Sequence, residues 1–229
     1  MRYSGPIKSE SRMKIPVLLL VVISGCCANE NLHGASFVFY KIGRTAKVVL
    51  KPTTTGPLSN ITVCLQSYTD ILQRDSLFKL KNENNSIALF QLYRQSDYYF
   101  ISLDQQYVSY KISTESMEWR LICVTWESST GIIHFVVNGK LFPRKVLKPG
   151  FIIDPEVTAV LGQDLAYAGL TSYLGEIRNV NMWDQALHPS EMQLMYSKSS
   201  YNCCGNVINW EFVDYEIDDV LLYKPSKKC

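Results

Sequence analysis

The sequence predicts an all-β fold, a two-sheet jelly-roll sandwich with one short surface helix. Three observations predict it. Short β-branched and aromatic runs recur at roughly 8–12-residue spacing, the rhythm of a sandwich or barrel. Turn residues punctuate those runs. One segment departs from the pattern, and it departs towards helix.

Residues 36–40 and 46–50 read as the first strands, followed by 61–65, 86–90 and 98–102. Residues 119–126 and 132–137 form the clearest pair, joined through Ser128-Ser129-Thr130-Gly131. Asn138-Gly139 then ends the second run with a strong short-range hairpin signal. The helical segment follows His188, with Pro189 at the first helical position, Glu191 in the first turn, and Met192, Leu194, Met195 and Tyr196 behind it. His188 is not a preferred cap, which predicts a weakly fixed start. No internal repeat or low-complexity segment interrupts the chain.

Composition sets the bounds. The chain has 229 residues, a formal net charge of +2, 47% hydrophobic residues and seven cysteines. That length holds one domain, or at most two, with ample surface to bury. The apolar content and near-neutral balance exclude a disordered chain. Twelve Gly and nine Pro exclude a collagen-like or linker composition. No Lys/Arg stripe stands out, so no nucleic-acid partner is expected.

Arg2, Lys8, Arg12 and Lys14 precede an apolar run over 15–23, and Ser24-Gly25-Cys26-Cys27-Ala28 supplies small residues for cleavage. This is the grammar of a secretory signal peptide, assigned to 1–27, with Met13 as an alternative start of translation. The run is shorter than the ~20 residues of a membrane span, which disfavours a retained anchor. No transmembrane segment is expected downstream. Without the leader's four basic residues and one acid, 19 basic side chains face 20 acidic ones, a net charge of −1. The secreted, extracellular chain, 28–229, keeps Cys64, Cys123, Cys203, Cys204 and Cys229. These are disulfide candidates, and their odd number flags a free thiol or an interchain bond.

Catalytic arrangements are weakly signalled. His33, His134 and His188 are widely spread, with no zinc-ligand or triad spacing. Asp214, Glu216 and Asp218 alternate along one strand face, as the nucleophile and acid of a sandwich glycosidase do. Solvated acids flanking Tyr215 and Ile217 account for the same pattern, and no enzyme activity is expected. Cys64 and Cys123 each sit inside a strand. Such cysteines in a secreted sandwich usually pair across the core, and the long closed loop is worth about 4 kcal/mol in the chain-entropy model.

Leu121-Ile122-Cys123-Val124-Thr125-Trp126-Glu127-Ser128 fits the motif His-x-Cys-x-(Ser/Thr)-Trp-x-(Ser/Thr) at every fixed position except the first, where Leu121 replaces His. Further segments accompany it: Ser36-Phe37-Val38-Phe39, Val63-Cys64-Leu65 with Tyr68-Thr69, Leu161-Gly162-Gln163, Asn179-Val180-Asn181-Met182-Trp183-Asp184 and Asn206-Val207-Ile208-Asn209-Trp210. Together they make the chain resemble the short pentraxin family from about 35 to 225. The resemblance implies a lectin-like β-jelly roll, a Cys64–Cys123 disulfide, one helix on one face, and a cyclic homo-oligomer, usually a pentamer.

The resemblance also implies a double calcium site on the face opposite the helix. Its first ligands are an Asp-Asn pair, where this chain has Asn84 and Asn85. Its second group follows Leu-Gly-Gln and reads Glu-Gln-Asp, where this chain has Asp164, Leu165 and Ala166. Calcium takes roughly six to eight oxygens, several of them from carboxylates. Asp164 stands in for the first Glu and Leu165 offers a carbonyl, but Ala166 cannot replace the Asp that bridges two ions. The loop that carries a further Glu and Gln in relatives is shorter here, and 167–173 contains no acid. At most one weakly bound calcium is expected, with Asp75, Glu83 and Glu176 as acids that geometry alone can add.

In pentraxins that bind phosphocholine, a Phe and a Thr line the methyl-ammonium pocket and a Glu faces the cation. Phe90, Ile101 and Gln106 stand at those positions. Gln106 supplies neither a charge nor an aromatic face for a cation, and strand alternation equally makes Phe90 a core residue. Glycosylation sequons occur at Asn60 and Asn84, and a glycan on Asn84 covers the ligand face. A bond between the vicinal Cys203 and Cys204 is strained, so each seeks a partner elsewhere, Cys229 for one of them.

The expectation is a secreted pattern-recognition protein of innate defence, bearing a degraded calcium site for a phosphorylated or polysaccharide ligand. Ring symmetry multiplies weak single-site affinity, by roughly 10²–10⁴. The alternative is a structural or matrix glycoprotein that keeps the ring without calcium-dependent recognition.

Overall fold

The computed structural model describes residues 1, 31–71, 73–82, 88–112, 117–163, 172–197 and 204–225. The strands in chain order begin with β1 (Ser36–Phe39), β2 (Lys47–Lys51), β3 (Asn60–Tyr68), β4 (Asp75–Asn82) and β5 (Ala88–Gln95). They continue with β6 (Tyr98–Leu103), β7 (Gln106–Lys111), β8 (Arg120–Glu127), β9 (Ile132–Val137), β10 (Lys140–Leu141) and β11 (Lys145–Val146). The last are β12 (Val157–Leu161), β13 (Gly175–Trp183), β14 (Asp214–Asp218) and β15 (Leu221–Tyr223), with helix α1 (Pro189–Ser197) between β13 and β14.

The larger antiparallel sheet runs β10-β9-β8-β3-β13-β1-β15, with β11 also paired to β9. The smaller runs β14-β2-β12-β4-β5-β6-β7. Contacts across the core show which edges lie over one another. Tyr110 of β7 stacks on Phe135 of β9 at 4.7 Å, and Tyr215 of β14 meets Phe37 of β1 at 5.4 Å. The two-sheet sandwich predicted from the sequence is therefore present, with one helix among the described residues.

Period-2 alternation decides what each strand buries. Val63 and Leu65 of β3 lie opposite Val124 and Ile122 of β8 and point into the core. Cys64 and Cys123, between them, must then point outward. They are bonded, but not across the core: they are register partners on neighbouring strands, with Cα atoms 4.1 Å apart on the outer face of the larger sheet. Leu121, Val136, Trp183 and Met192 bury them there. The cross-core expectation failed because strand position alone does not say which face a residue takes; register does.

Helix α1 lies over that disulfide through Met192. Its start is better fixed than His188 suggested. The His188 N–H donates to Glu191 Oε2 at 2.8 Å, and the Ser190 N–H donates to His188 Nδ1 at 3.3 Å. This is the reciprocal logic of a capping box, with an imidazole nitrogen in place of a hydroxyl. Asn138 and Gly139 take φ +47° and +75°, as a type I′ turn between β9 and β10 requires. Among the described residues no helix is long and apolar enough to cross a membrane.

A buried ion pair lies between β4 and β5. Arg94 of β5 lies 2.9 Å from Asp75 of β4, with side chains 4% and 1% exposed, and Arg94 also donates to the Ile71 carbonyl. Burial pushes the Asp75 carboxyl up to about 6, outweighing the pull of the guanidinium. Asp75→Asn leaves the Arg94 charge buried without its counter-ion and is expected to cost about 3–5 kcal/mol. Urea unfolding at neutral pH measures this, and a loss below about 1 kcal/mol would place the pair among the weak surface bridges.

Candidate functional site

The predicted calcium ligands fall on two connections. Asn84 and Asn85 lie between β4 and β5, and Asp164 and Leu165 follow β12; all four are outside the described residues. Their flanks are described. Asn82 pairs with Val157, and Lys79 pairs with Val160. The first connection therefore leaves beside the start of β12, and the second leaves beyond its end at Leu161. Four residues of strand, about 13 Å, separate the two exits.

The second connection is closed at its neck, where the Tyr173 N–H donates to the Gly162 carbonyl at 2.8 Å. Gly162 sits at φ +79°, and a Cβ there would run into the Phe39 ring. No side chain fits there. Gln163 donates to the Arg44 carbonyl. Leu161-Gly162-Gln163 thus launches the loop by backbone geometry and packing.

The reserve acids are placed elsewhere. Asp75 is buried against Arg94. Glu176 belongs to β13 of the larger sheet, where it accepts a hydrogen bond from Ser36 Oγ at 2.7 Å. Glu83 is outside the described residues. Among the described residues no three His, Cys, Asp or Glu side chains converge to hold a metal.

The three candidate pocket residues are not brought together on a surface. Phe90 and Ile101 are fully buried on the inward face of the smaller sheet, with Phe90 edge-on to Phe78 at 6.2 Å. Gln106, paired with Leu103, is exposed at the start of β7. On the outward face, sequence reasoning missed an aromatic stack. Tyr93 and Phe100 are register partners with parallel rings 4.8 Å apart, and Tyr107 follows at 5.7 Å. The Arg74 guanidinium lies 4.2 Å over Tyr93. Tyr93 is buried between Phe100 and Arg74, so it is Tyr107, 61% exposed, that offers a π face to a sugar or a cation. The signal was the alternation of Tyr98 and Phe100 opposite Tyr93, invisible until the β5–β6 register is known.

The opposite face, beside the helix, carries a cleft of about 270 Å³ lined in part by His33, Gln66, Asn181, Trp183, Cys204 and Glu211. Its amides are largely spent on the fold. Asn181 Oδ1 accepts from the Gly205 and Trp210 N–H groups at 3.2 Å each, and Gln66 Oε1 accepts from Arg178 Nε at 2.8 Å. Cys204 is exposed with a free thiol, while Cys203 and Cys229 are outside the described residues.

The histidines serve separate structures. His33 pairs with Glu211 at 2.8 Å, and His188 caps α1. His134 of β9 lies 3.2 Å from Thr125 Oγ1 and accepts from Arg144 Nε at 3.0 Å through Nε2. The neutral ring therefore carries its proton on Nδ1, towards Thr125. Asp214, Glu216 and Asp218 line exposed β14, with Glu216 2.7 Å from Lys51 and Asp218 3.1 Å from Lys47. All three are exposed, and Glu216 and Asp218 stand as solvated, lysine-paired acids. Asn60 opens β3 half-buried.

Burial, reinforced by Arg144 and His188, pushes His134 below its ordinary value near 6.5. The unfolded chain then takes up this proton first, so stability falls as pH drops through 6.5. His134→Gln removes that part of the slope. Melting at pH 7.5 and 5.5 reads it, and equal acid sensitivity in both proteins would contradict the assignment.

The chain matches known proteins along most of its length. The Pentaxin family profile matches residues 35–225. The chain is 32% identical over 222 residues to "C-reactive protein" of Xenopus laevis, covering 93% of this chain and 92% of that one. It is 32% identical over 216 residues to "Serum amyloid P-component" of Bos taurus, covering 91% and 95%. In structure it is similar to the native heptameric SAP-like pentraxin from Limulus polyphemus, with a TM-score of 0.72 and 21% identity, covering 86% of this chain and 97% of that one.

Proposed function

This chain belongs to the pentraxin family, and from that premise we propose a secreted, non-enzymatic recognition protein that acts as a homo-oligomer. Residues 1–27 are its signal peptide and 28–229 its pentraxin domain. The single observation that carries the reading is the match over 35–225, which spans both sheets, the helix and the outer-face disulfide. Linked weak sites then gain avidity from symmetry.

The ligand face is that of the smaller sheet. The exposed Tyr107 ring, backed by the half-buried Phe100 and the buried Tyr93, supplies aromatic contact area there. The donor set Asn84, Asn85, Asp164 and Leu165 holds two amides, one carboxylate and a main-chain carbonyl, which suits one weakly bound calcium better than two. Asp75 does not enlarge it without breaking a buried pair, and Glu176 lies on the other sheet. Bound calcium would supply positive charge for a phosphorylated or acidic polysaccharide ligand. Glycans are assigned to Asn60 and Asn84, and Cys203, Cys204 and Cys229 are the remaining candidates for covalent links.

The weakness of that donor set also favours a second reading, a structural or matrix glycoprotein that keeps the oligomer and binds no calcium. A calcium titration separates the two. For a site of ~1 mM affinity, ~10 mM calcium stabilises the fold by about 1.4 kcal/mol, a shift of roughly 3–6 °C. A melting temperature unmoved by calcium, with magnesium as control, removes the calcium-dependent reading and leaves the structural one.

A further inference from the structure

Cys123, Cys64 and Asn181 stand in one row across three neighbouring strands. Cys123 of β8 is the register partner of Cys64 on β3, and Cys64 is the register partner of Asn181 on β13. The disulfide joins the first two. The third carries the row on to a further sulfur, because the Gly205 N–H donates to Asn181 Oδ1 at 3.2 Å. Gly205 follows Cys204, which is exposed and has a free thiol.

A second contact holds Cys204 beside the same bond. Trp183 Nε1 donates to the Cys204 carbonyl at 3.1 Å, and Trp183 belongs to the apolar cluster that buries both cysteines of the disulfide. Cys64 and Cys204 line one cleft of about 270 Å³, whereas Cys123 does not reach it. A free thiol is therefore fastened by two hydrogen bonds on either side of it, in the cleft that one half of the disulfide borders.

Thiol–disulfide exchange needs a thiolate that reaches one sulfur along the line of the bond it breaks. Across the sheet that bond runs from β8 to β3, and its extension points towards β13. This is the side on which Asn181 and Trp183 hold Cys204. Cys64 is the end that borders the cleft, and the fully buried Cys123, clustered with Met192 of α1, is the end that leaves.

We propose that Cys204 is an internal exchange partner of the Cys64–Cys123 disulfide, moving the bond to Cys64–Cys204 and tying the segment that follows α1 to β3 across the cleft. The Cys204 thiolate forms the new bond to Cys64 Sγ and the Cys64–Cys123 bond breaks. Cys123 leaves as a thiolate and takes up the proton that Cys204 gave up. The number of disulfides is unchanged, so no oxidant or reductant enters. Burial disfavours the Cys123 thiolate, which slows the exchange and keeps Cys64–Cys123 as the resting form. The cleft then has two covalent states, one open and one bridged. This inference is independent of the calcium and oligomer readings above.

The test is peptide mapping of the secreted full chain without reduction. The folded protein is incubated at about pH 8.5, the middle of the thiol range, quenched in acid, and its free thiols are labelled with N-ethylmaleimide. A Cys64–Cys204 peptide is expected to grow with time, together with label on Cys123. Cys204→Ser is expected to cut the labelled Cys123 about tenfold or more, since a tethered thiol far outcompetes a dissolved one. Cys203→Ser with Cys229→Ser is expected to leave the exchange intact. In Cys123→Ser, Cys64 is expected to bond Cys204; where that variant fails to fold, the map of the parent decides alone. A parent whose Cys123 stays unlabelled, or exchange that survives Cys204→Ser, would overturn the assignment. So would a secreted chain whose Cys204 is already bonded to another cysteine.

Discussion

The fold depends on β3 lying against β8 in one register. With Cys64 opposite Cys123, Val63 and Val124 fall into the core and both sulfurs fall outside. A slip of one residue would exchange the two faces of the strand. The same register runs on into β13, where Asn181 lies opposite Cys64 after a bulge at which Asn179 takes φ +53°. That bulge aims the Asn181 amide at Gly205 and Trp210, fastening the segment that walls the cleft. The core, the bed of the helix and the cleft are consequences of one pairing.

The residues that reveal the family are mostly structural staples. Trp126 Nε1 donates to the Leu147 carbonyl at 2.9 Å, and Ser128 Oγ donates to the Phe151 carbonyl. The signature around Cys123 therefore pins the loop behind β11 against β8. Trp183 Nε1 donates to the Cys204 carbonyl, and Gly162 makes room for Phe39. A strong match along such staples therefore speaks to the fold.

What the sequence made legible follows from alternation. β9 and its Asn138-Gly139 turn were readable because apolar period 2 and turn chemistry agree. β4 was not, because a bulge between Ser76 and Phe78 breaks its alternation and Lys79 and Lys81 dilute its apolar run. The sequence showed the cysteine pair but not its face, since register is a tertiary quantity. His188 as a cap was illegible for another reason: propensity rates the residue type, whereas the geometry uses one ring nitrogen and Glu191 three residues on. The stack of Tyr93 and Phe100 on the outer face of the smaller sheet needed the β5–β6 register before it existed as a feature at all.

The outward placement of the disulfide bears on the order in which the chain folds. Cys64 and Cys123 are separated by 59 residues, so their strands must find each other over a long loop, a slow, entropy-limited search. Because the sulfurs lie outside the main core, buried beneath α1 on the outer face of the sheet, core packing does not require the bond. The register that the hydrophobic face selects is the one that sets the two sulfurs together, under the face α1 covers. The bond then acts as a ratchet: it leaves the forward search untouched and removes the route by which the two central strands part.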